Sequence, residues 1–477
     1  MRPLRIAFAI AIVISPTLVT AAPAAGQAID SAYRGSILAP VRARGDTTFH
    51  YAVYVPRAYT GRSPVPLLLV LDPRGDAEAS IKLAVPAAER LGWVVMSSFD
   101  TRDDAANAPN QKAVNLMLDD AFTAFRIDTA RIYLAGFSGL ARDTWVFAYG
   151  AGGHVAGIIS AGASMPMDSA WRRTYGGRPP FDVAMTAGDS AFEYDDVINT
   201  TDTLRALGAP VRTDACRGGD QWPPEPLIAQ AIGWLEVRAM GRKLRPTDPR
   251  LVDSLFAVDS TRAAATAASG RTGAAAEEWA GIAAAWQGMH IVQDARAQLA
   301  QLEASAAVVR WRAERDSLRR NTPGVQHAMG AILLGVRRHP GVPDLRQLAG
   351  DLEIARYQQW AGDAQDSVRA IWAQRRLAGL YAQVSFYEPE AYIAVNDESR
   401  ALAMLAIAEM IHPRAPVACR ERARAYALRR DSEGTLDELR CALTGKAITV
   451  GEIERDPRYQ FLRSLDAYVQ LIDPGGG

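Results

Sequence analysis

Between Arg131 and Asp143 the chain reads RIYLAGFSGLARD: an apolar run, then Gly136, Phe137, Ser138 and Gly139, then residues that open a helix. A serine on a sharp turn between strand and helix has its hydroxyl lifted out beside the free amides of the helix start, a layout suited to attack on an ester carbonyl. That chemistry needs a base, because a serine hydroxyl is weakly nucleophilic at neutral pH, and then an acid for the leaving group. Of the six histidines only His50 and His154 fall in this half of the chain. His50 opens a strand-like run, and His154 would reach Ser138 only with an unusual order of catalytic residues. Lys82 and Lys112 are the only lysines between His50 and Met240, and neither stands where a base is expected. The plain alternative for Ser138 is a helix N-cap, which accepts from first-turn amides without any catalysis.

The elements that must hold this serine are legible as a change of period along the chain. HYAVYVP alternates like a half-buried strand, while PLLLVLD, WVVMSSF, RIYLAGF, VAGIISAG and DVAMTAG are continuous apolar runs typical of strands covered on both faces. Helix-length segments, EASIKLAVPAAERLG, NQKAVNLMLDDAFTAF and PPEPLIAQAIGWLEVRAM, fall between or after them. The expected fold of residues 49–240 is therefore α/β, a mostly parallel sheet flanked by helices with right-handed crossovers. GRKLRPTDPR, residues 241–250, reads as a linker, and from 251 to 472 helical spacing replaces the strands.

The pieces PLLLVLDPRGD, FRIDTARIYLAGFSG, GIISAGAS and RGGDQWPPEPLIAQAIGWL, in this order, resemble the α/β-hydrolase superfamily, in its branch of secreted esterases, dienelactone hydrolases and polyhydroxybutyrate depolymerases. The resemblance covers nearly all of residues 50–240. It implies that Ser138 is the elbow nucleophile, that Asp72, Pro73, Arg74 and Gly75 form the oxyanion loop, and that the Gly139 N–H is the second oxyanion donor. Leu140 stands where the elbow pattern has a glycine, and needs room between neighbouring elements. The family's acid position holds Ala191, with Asp189 as a substitute. Its histidine position, in the late loop Gly219, Asp220, Gln221, Trp222, Pro223, Pro224, holds Asp220. An aspartate with an ordinary pKa near ~4 is a poor proton donor at pH 7. Asp220 could instead pair with Arg142 over the elbow and hold a ligand, so Arg142 and Trp222 join the candidate pocket. The expectation is a hydrolase-like binding protein with a degraded triad, its pocket suited to a small ester, acyl or glycan-like ligand. The alternative is a carboxyl-ester hydrolase using Ser138 with Asp189 and an unconventional base, for which Asp220 acting on a bound water is a candidate. No cofactor is implied.

Other features bound the function. With 53 basic and 53 acidic residues the formal charge is zero, which argues against nucleic acid as a partner. Three cysteines without a CxxC or clustered Cys/His spacing give neither a disulfide framework nor a metal site. In the helical half, Ala401, Leu405, Ala408 and Pro413, then Ala423, Tyr426, Asp431, Leu436, Leu439 and Ala442, resemble tetratricopeptide repeats in one continuous register, and Trp279, Ile282, Ala283, Trp286, Ala295 and Leu299 offer an earlier copy. A generic Ala-rich bundle is the alternative. Repeats of this kind imply a protein or peptide partner on a concave face. Cys419 and Cys441 fall on the two helices of the last repeat, where a bridge is geometrically open to them. Residues 1–28, MRPLR followed by an apolar stretch and small residues, read as a secretory signal cleaved after Ala21, Ala22 or Ala28, followed by a linker over 29–48. Export to a periplasmic or extracellular space with no remaining membrane span is the expectation, and residues 473–477 are a tail.

Overall fold

The computed structural model of the chain describes residues 33–103, 107–165, 167, 169–339, 341–363 and 367–473. The signal sequence expected over 1–28 lies outside them. Two compact units divide at Arg312 and Ala313.

The first unit is built on an eight-stranded sheet, β1 (Ile37–Arg42), β2 (His50–Tyr54), β3 (Val65–Leu71), β4 (Val94–Ser98), β5 (Ile127–Phe137), β6 (Val155–Ala161), β7 (Asp182–Gly188) and β8 (Val211–Cys216), in the order β1-β2-β4-β3-β5-β6-β7-β8. β2 runs antiparallel to both neighbours and every other pairing is parallel. This is an α/β-hydrolase-like architecture. Its helices are α1 (Ala77–Leu91), α2 (Asn107–Ala124), α3 (Gly139–Gly150), α4 (Ser169–Tyr175), α5 (Tyr194–Ala206) and α6 (Glu225–Gly241).

The sheet separates two cores, and alternate residues of one strand serve each. On β2, Ala52 and Tyr54 join Trp93, Ile232 and Trp234, whereas Tyr51 and Val53 join Val114, Met117, Leu140 and Trp145. The half-exposed β2 expected from its alternation is thus buried on both faces. Leu140, at 1% exposure, fits because that second core receives it.

Two elements differ from the sequence reading. β1 occupies the stretch 37–42 that the sequence assigns to a linker, and β8 is a strand that no apolar run marks. The chain after α6 is also no linker to a separate body. Helices α7 (Pro249–Ala268), α8 (Thr272–Ala285) and α9 (Gln293–Glu303) pack on the first core, where Trp279, Ile282, Ala283, Trp286 and Ala295 meet Trp234 and Leu235. The Trp234 indole N–H donates to the Ala285 carbonyl at 2.9 Å. Residues read as an early helical repeat therefore complete the α/β unit.

Helix α10 (Ala306–Arg338) carries the chain into the second unit, which is helical throughout: α11 (Leu345–Asp351), α12 (Ile354–Ala361), α13 (Val368–Ala382), α14 (Glu388–Ile393), α15 (Glu398–Ile411), α16 (Pro416–Leu428), α17 (Ser432–Thr444), α18 (Val450–Arg455) and α19 (Asp466–Ile472), with a π-helical turn at Gln383–Tyr387 and a 3-10 segment at Pro457–Leu462. Asp431 caps α17 by accepting from the Gly434 amide at 3.0 Å, in the turn between α16 and α17. Ala401, Leu405, Ala408, Ala423, Leu436, Leu439 and Ala442 are all buried.

Cys419 and Cys441 form a disulfide, 22 residues apart in sequence, linking α16 to α17. Glu438 lies beside them, but with both sulfurs bonded to each other this group is no metal site. A closed loop of this length restricts the unfolded chain by about 3 kcal/mol. Mild reduction is accordingly expected to lower the stability of the second unit by about that amount, measurable as a shift in its urea midpoint.

Candidate functional site

The sheet presents Ser138 at the carboxyl end of β5, directly before α3. Its backbone sits at φ 54°, ψ −129°, a region that L-residues rarely adopt, and its side chain makes no capping bond to the helix. The N-cap explanation is thereby removed, and the serine occupies a strained elbow. A non-glycine residue held there costs about 1–3 kcal/mol. Ser138→Gly relieves that strain against a flexibility penalty near ~1 kcal/mol, so the variant is expected to be as stable as the parent or up to about 2 kcal/mol more stable, as read from urea unfolding.

Three segments converge on the elbow. The early loop after β3 is organised by Asp72, which is buried. Its Oδ1 accepts from the amides of Arg74 at 2.8 Å and Asp76 at 3.1 Å, its carbonyl from the Gly75 amide at 3.1 Å, and its Oδ2 from the Trp222 indole at 2.7 Å. The loop expected to offer an oxyanion donor therefore directs its amides to Asp72 instead. The Pro73 carbonyl accepts from the Asp103 amide at 2.9 Å, which sets Asp103 over the helix start. A Cβ placed on Gly139 would fall 1.6 Å from Asp103 Oδ1, so a carboxylate lies against the second expected oxyanion donor.

The late loop delivers Asp220 and Trp222. The Trp222 ring lies 5.3 Å from that of Phe137, the residue before the elbow serine. A Cβ on Gly162, at the end of β6, would meet Phe137 Cε2 at 2.8 Å and Asp220 Oδ1 at 3.2 Å. Asp220 thus stands beside the elbow. Asp189, at the end of β7, accepts from the Gly218 amide at 3.0 Å and so pins the loop that carries Asp220. Ala191 is fully buried and contributes no polar group.

Arg142, on α3, pairs with Glu193 rather than with Asp220. Glu193 is buried two positions beyond Ala191, and the sequence does not single it out; its only signal is a carboxylate soon after a strand-ending glycine. Burial, opposed by Arg142, pushes its carboxyl up to about 7. Asp143, held by Asn110 Nδ2 at 3.0 Å, is pushed to about 6, again chiefly by burial, with Asp103 adding to it. Asp220 is open to solvent on one side but otherwise surrounded by protein, and this desolvation, with the charge of Asp103, raises its carboxyl to about 6 while Arg142 and Arg74 oppose the rise. The carboxyl of Asp220 is thus pushed above the ordinary aspartate value.

None of this unit's three histidines reaches the elbow. His154 is exposed just ahead of β6, the strand's full length away from Ser138, or roughly 20 Å. His50 starts β2, which β4 and β3 separate from β5, roughly 14 Å across the sheet. His290 stacks on Phe256 at 3.9 Å and bonds Asp253 at 3.2 Å. Lys112 is paired with Asp46 at 2.6 Å.

No protein-family profile matches the chain, and no curated protein is similar to it. Among solved structures, the chain is similar to an S-formylglutathione hydrolase from Staphylococcus aureus, with 16% identity, 39% of this chain and 90% of that one covered, and a TM-score of 0.32. It is also similar to an esterase from Pyrobaculum calidifontis, with 14% identity, 43% and 87% covered, and a TM-score of 0.33. The structural neighbours of the α/β unit are thus esterases and serine hydrolases, at low identity.

Proposed function

We propose that the α/β unit is a ligand-binding derivative of a serine hydrolase rather than an efficient enzyme. The observation that carries this reading is that carboxylates, not an imidazole, gather at Ser138: Asp220 in the base position and Asp103 against Gly139. Developing negative charge on a substrate oxygen would face those carboxylates, and the amides that should stabilise it are held by Asp72. The same groups suit a ligand bearing hydroxyl or amine donors, for which carboxylates are strong acceptors and the Trp222 ring a flat support. A glycan-like ligand fits this chemistry. The second unit is proposed to supply a surface for a protein or peptide partner, and the chain to work outside the cytoplasm, a reading supported by its disulfide.

The raised carboxyl of Asp220 favours one second reading, slow ester hydrolysis with Asp220 as the base. The two separate on fluorophosphonate labelling of the wild type against Ser138→Ala. The binding reading expects no Ser138-dependent labelling over an hour. The enzymatic one expects labelling that increases as pH rises through about 6, because only ionised Asp220 can take the proton, and then levels off.

A further inference from the structure

In the second unit, α16, α18 and the 3-10 segment at Pro457–Leu462 line an open cavity of about 350 Å³. Its polar wall is made of Arg420, Arg424, Arg455 and Arg458, with Glu452 and Asp456 at the same site. Small-molecule sites span about 300–1,000 Å³, so this one suits a small ligand.

The charges there do not balance. Glu421, fully buried behind the wall, serves two arginines at once, accepting from Arg420 Nε at 2.7 Å and from Arg424 Nη1 at 3.0 Å. Asp456 is engaged by Arg458 at 2.6 Å. Glu452 closes a capping box, accepting from the Thr449 amide at 2.8 Å. Arg455 has no ion-pair partner among the described residues. Arg424 also carries a buried Nε–H without an acceptor, and a buried donor left in that condition is costly. The cavity therefore holds cationic forks in excess of acceptors.

We infer that this cavity binds a small organic acid, through one carboxylate against the Arg424 and Arg455 guanidinium groups and a short apolar body against Ala447, Ile448 and Pro457. A guanidinium fork matches a carboxylate in plane and in charge. Phosphate would bring a second charge towards Glu452 and Asp456, which repel it, so a monoanion is preferred. The apolar residues on the same wall select an acid with a hydrocarbon body over a bare ion.

The test is calorimetric titration of the full chain with hexanoate, inorganic phosphate and the neutral hexanamide at constant ionic strength. The expected result is one hexanoate bound per chain, phosphate at least about tenfold weaker, and no saturation with hexanamide. Arg455 is exposed, so Arg455→Ala should leave the melting temperature unchanged while weakening hexanoate about tenfold. Ser138→Ala should bind hexanoate like the wild type, which separates this cavity from the elbow site. Absence of saturable hexanoate binding, phosphate binding as tightly as hexanoate, or an undiminished affinity in Arg455→Ala would each overturn the inference.

Discussion

Asp220→His is expected to raise Ser138-dependent labelling by a fluorophosphonate about a hundredfold over the wild type. The elbow already holds Ser138 in its strained presentation, at φ 54°, and Asp220 already lies beside Phe137 and Gly162, so the new imidazole enters next to the serine's own turn. Burial would lower the pKa of that imidazole and the neighbouring carboxylates would raise it, leaving a substantial neutral fraction at pH 7. The expected gain sits at the lower end of the ~10²–10⁴-fold range for a positioned base, because Asp72 still holds the loop amides that a complete oxyanion hole would use. Rate constants measured for Asp220→His and for the same variant carrying Ser138→Ala decide the matter. An increase that persists without Ser138, or no increase at all, would sink the view that the missing base limits the site.

The second large effect is on stability. Arg212→Ala should destabilise the first unit by about 3–5 kcal/mol, seen as a much lower urea midpoint. Arg212, on β8, is 3% exposed and spans two buried carboxylates, with Nε 2.6 Å from Asp214 and Nη1 2.6 Å from Asp259 of α7. Trp286 adds its indole N–H to Asp259 at 2.8 Å and Arg262 adds Nη2 to Asp214 at 2.5 Å. Removing the central cation leaves Asp259 with the indole and with Arg262 at 3.8 Å, and a buried carboxylate so deprived is far more costly than the pair was worth. The same cluster explains why a fragment ending at residue 240 should fail to fold while one ending at 312 folds: the shorter chain lacks Asp259 and the helices that cover Trp234. A cooperative transition in the shorter fragment would show that α7–α9 are an appendage after all.

Much of this was readable before any coordinates. Five of the eight strands follow from uninterrupted apolar runs and β2 from alternation, and the elbow from a glycine-flanked serine after one of those runs. The two missed strands show what hides a strand. β1 is short, half-exposed and interrupted by Pro40, so it has neither run nor clean alternation. β8 reads VRTDAC, and the arginine and aspartate that suggest solvent are in fact buried against each other and against α7. Local pattern cannot reveal a charge neutralised from elsewhere in the chain. The same limit applies at the site. The serine, Ala191 and Asp220 were visible, but the direction in which Asp220 is shifted, the capture of the loop amides by Asp72 and the pairing of Arg142 with Glu193 depend on which residues the fold makes neighbours.

Asp72 has one consequence that reaches beyond its own loop. A single carboxylate fastens both the segment after β3 and the Trp222 segment, so the two sides of the elbow do not vary independently. Effects of Asp72→Ala and Trp222→Phe should then fail to add, each change having already released what the other would release. Any mutational route towards hydrolysis at this site is constrained accordingly: freeing the amides by replacing Asp72 also loosens the loop on which an introduced histidine would have to stand, so the two steps carry opposite signs until a further substitution re-anchors Trp222.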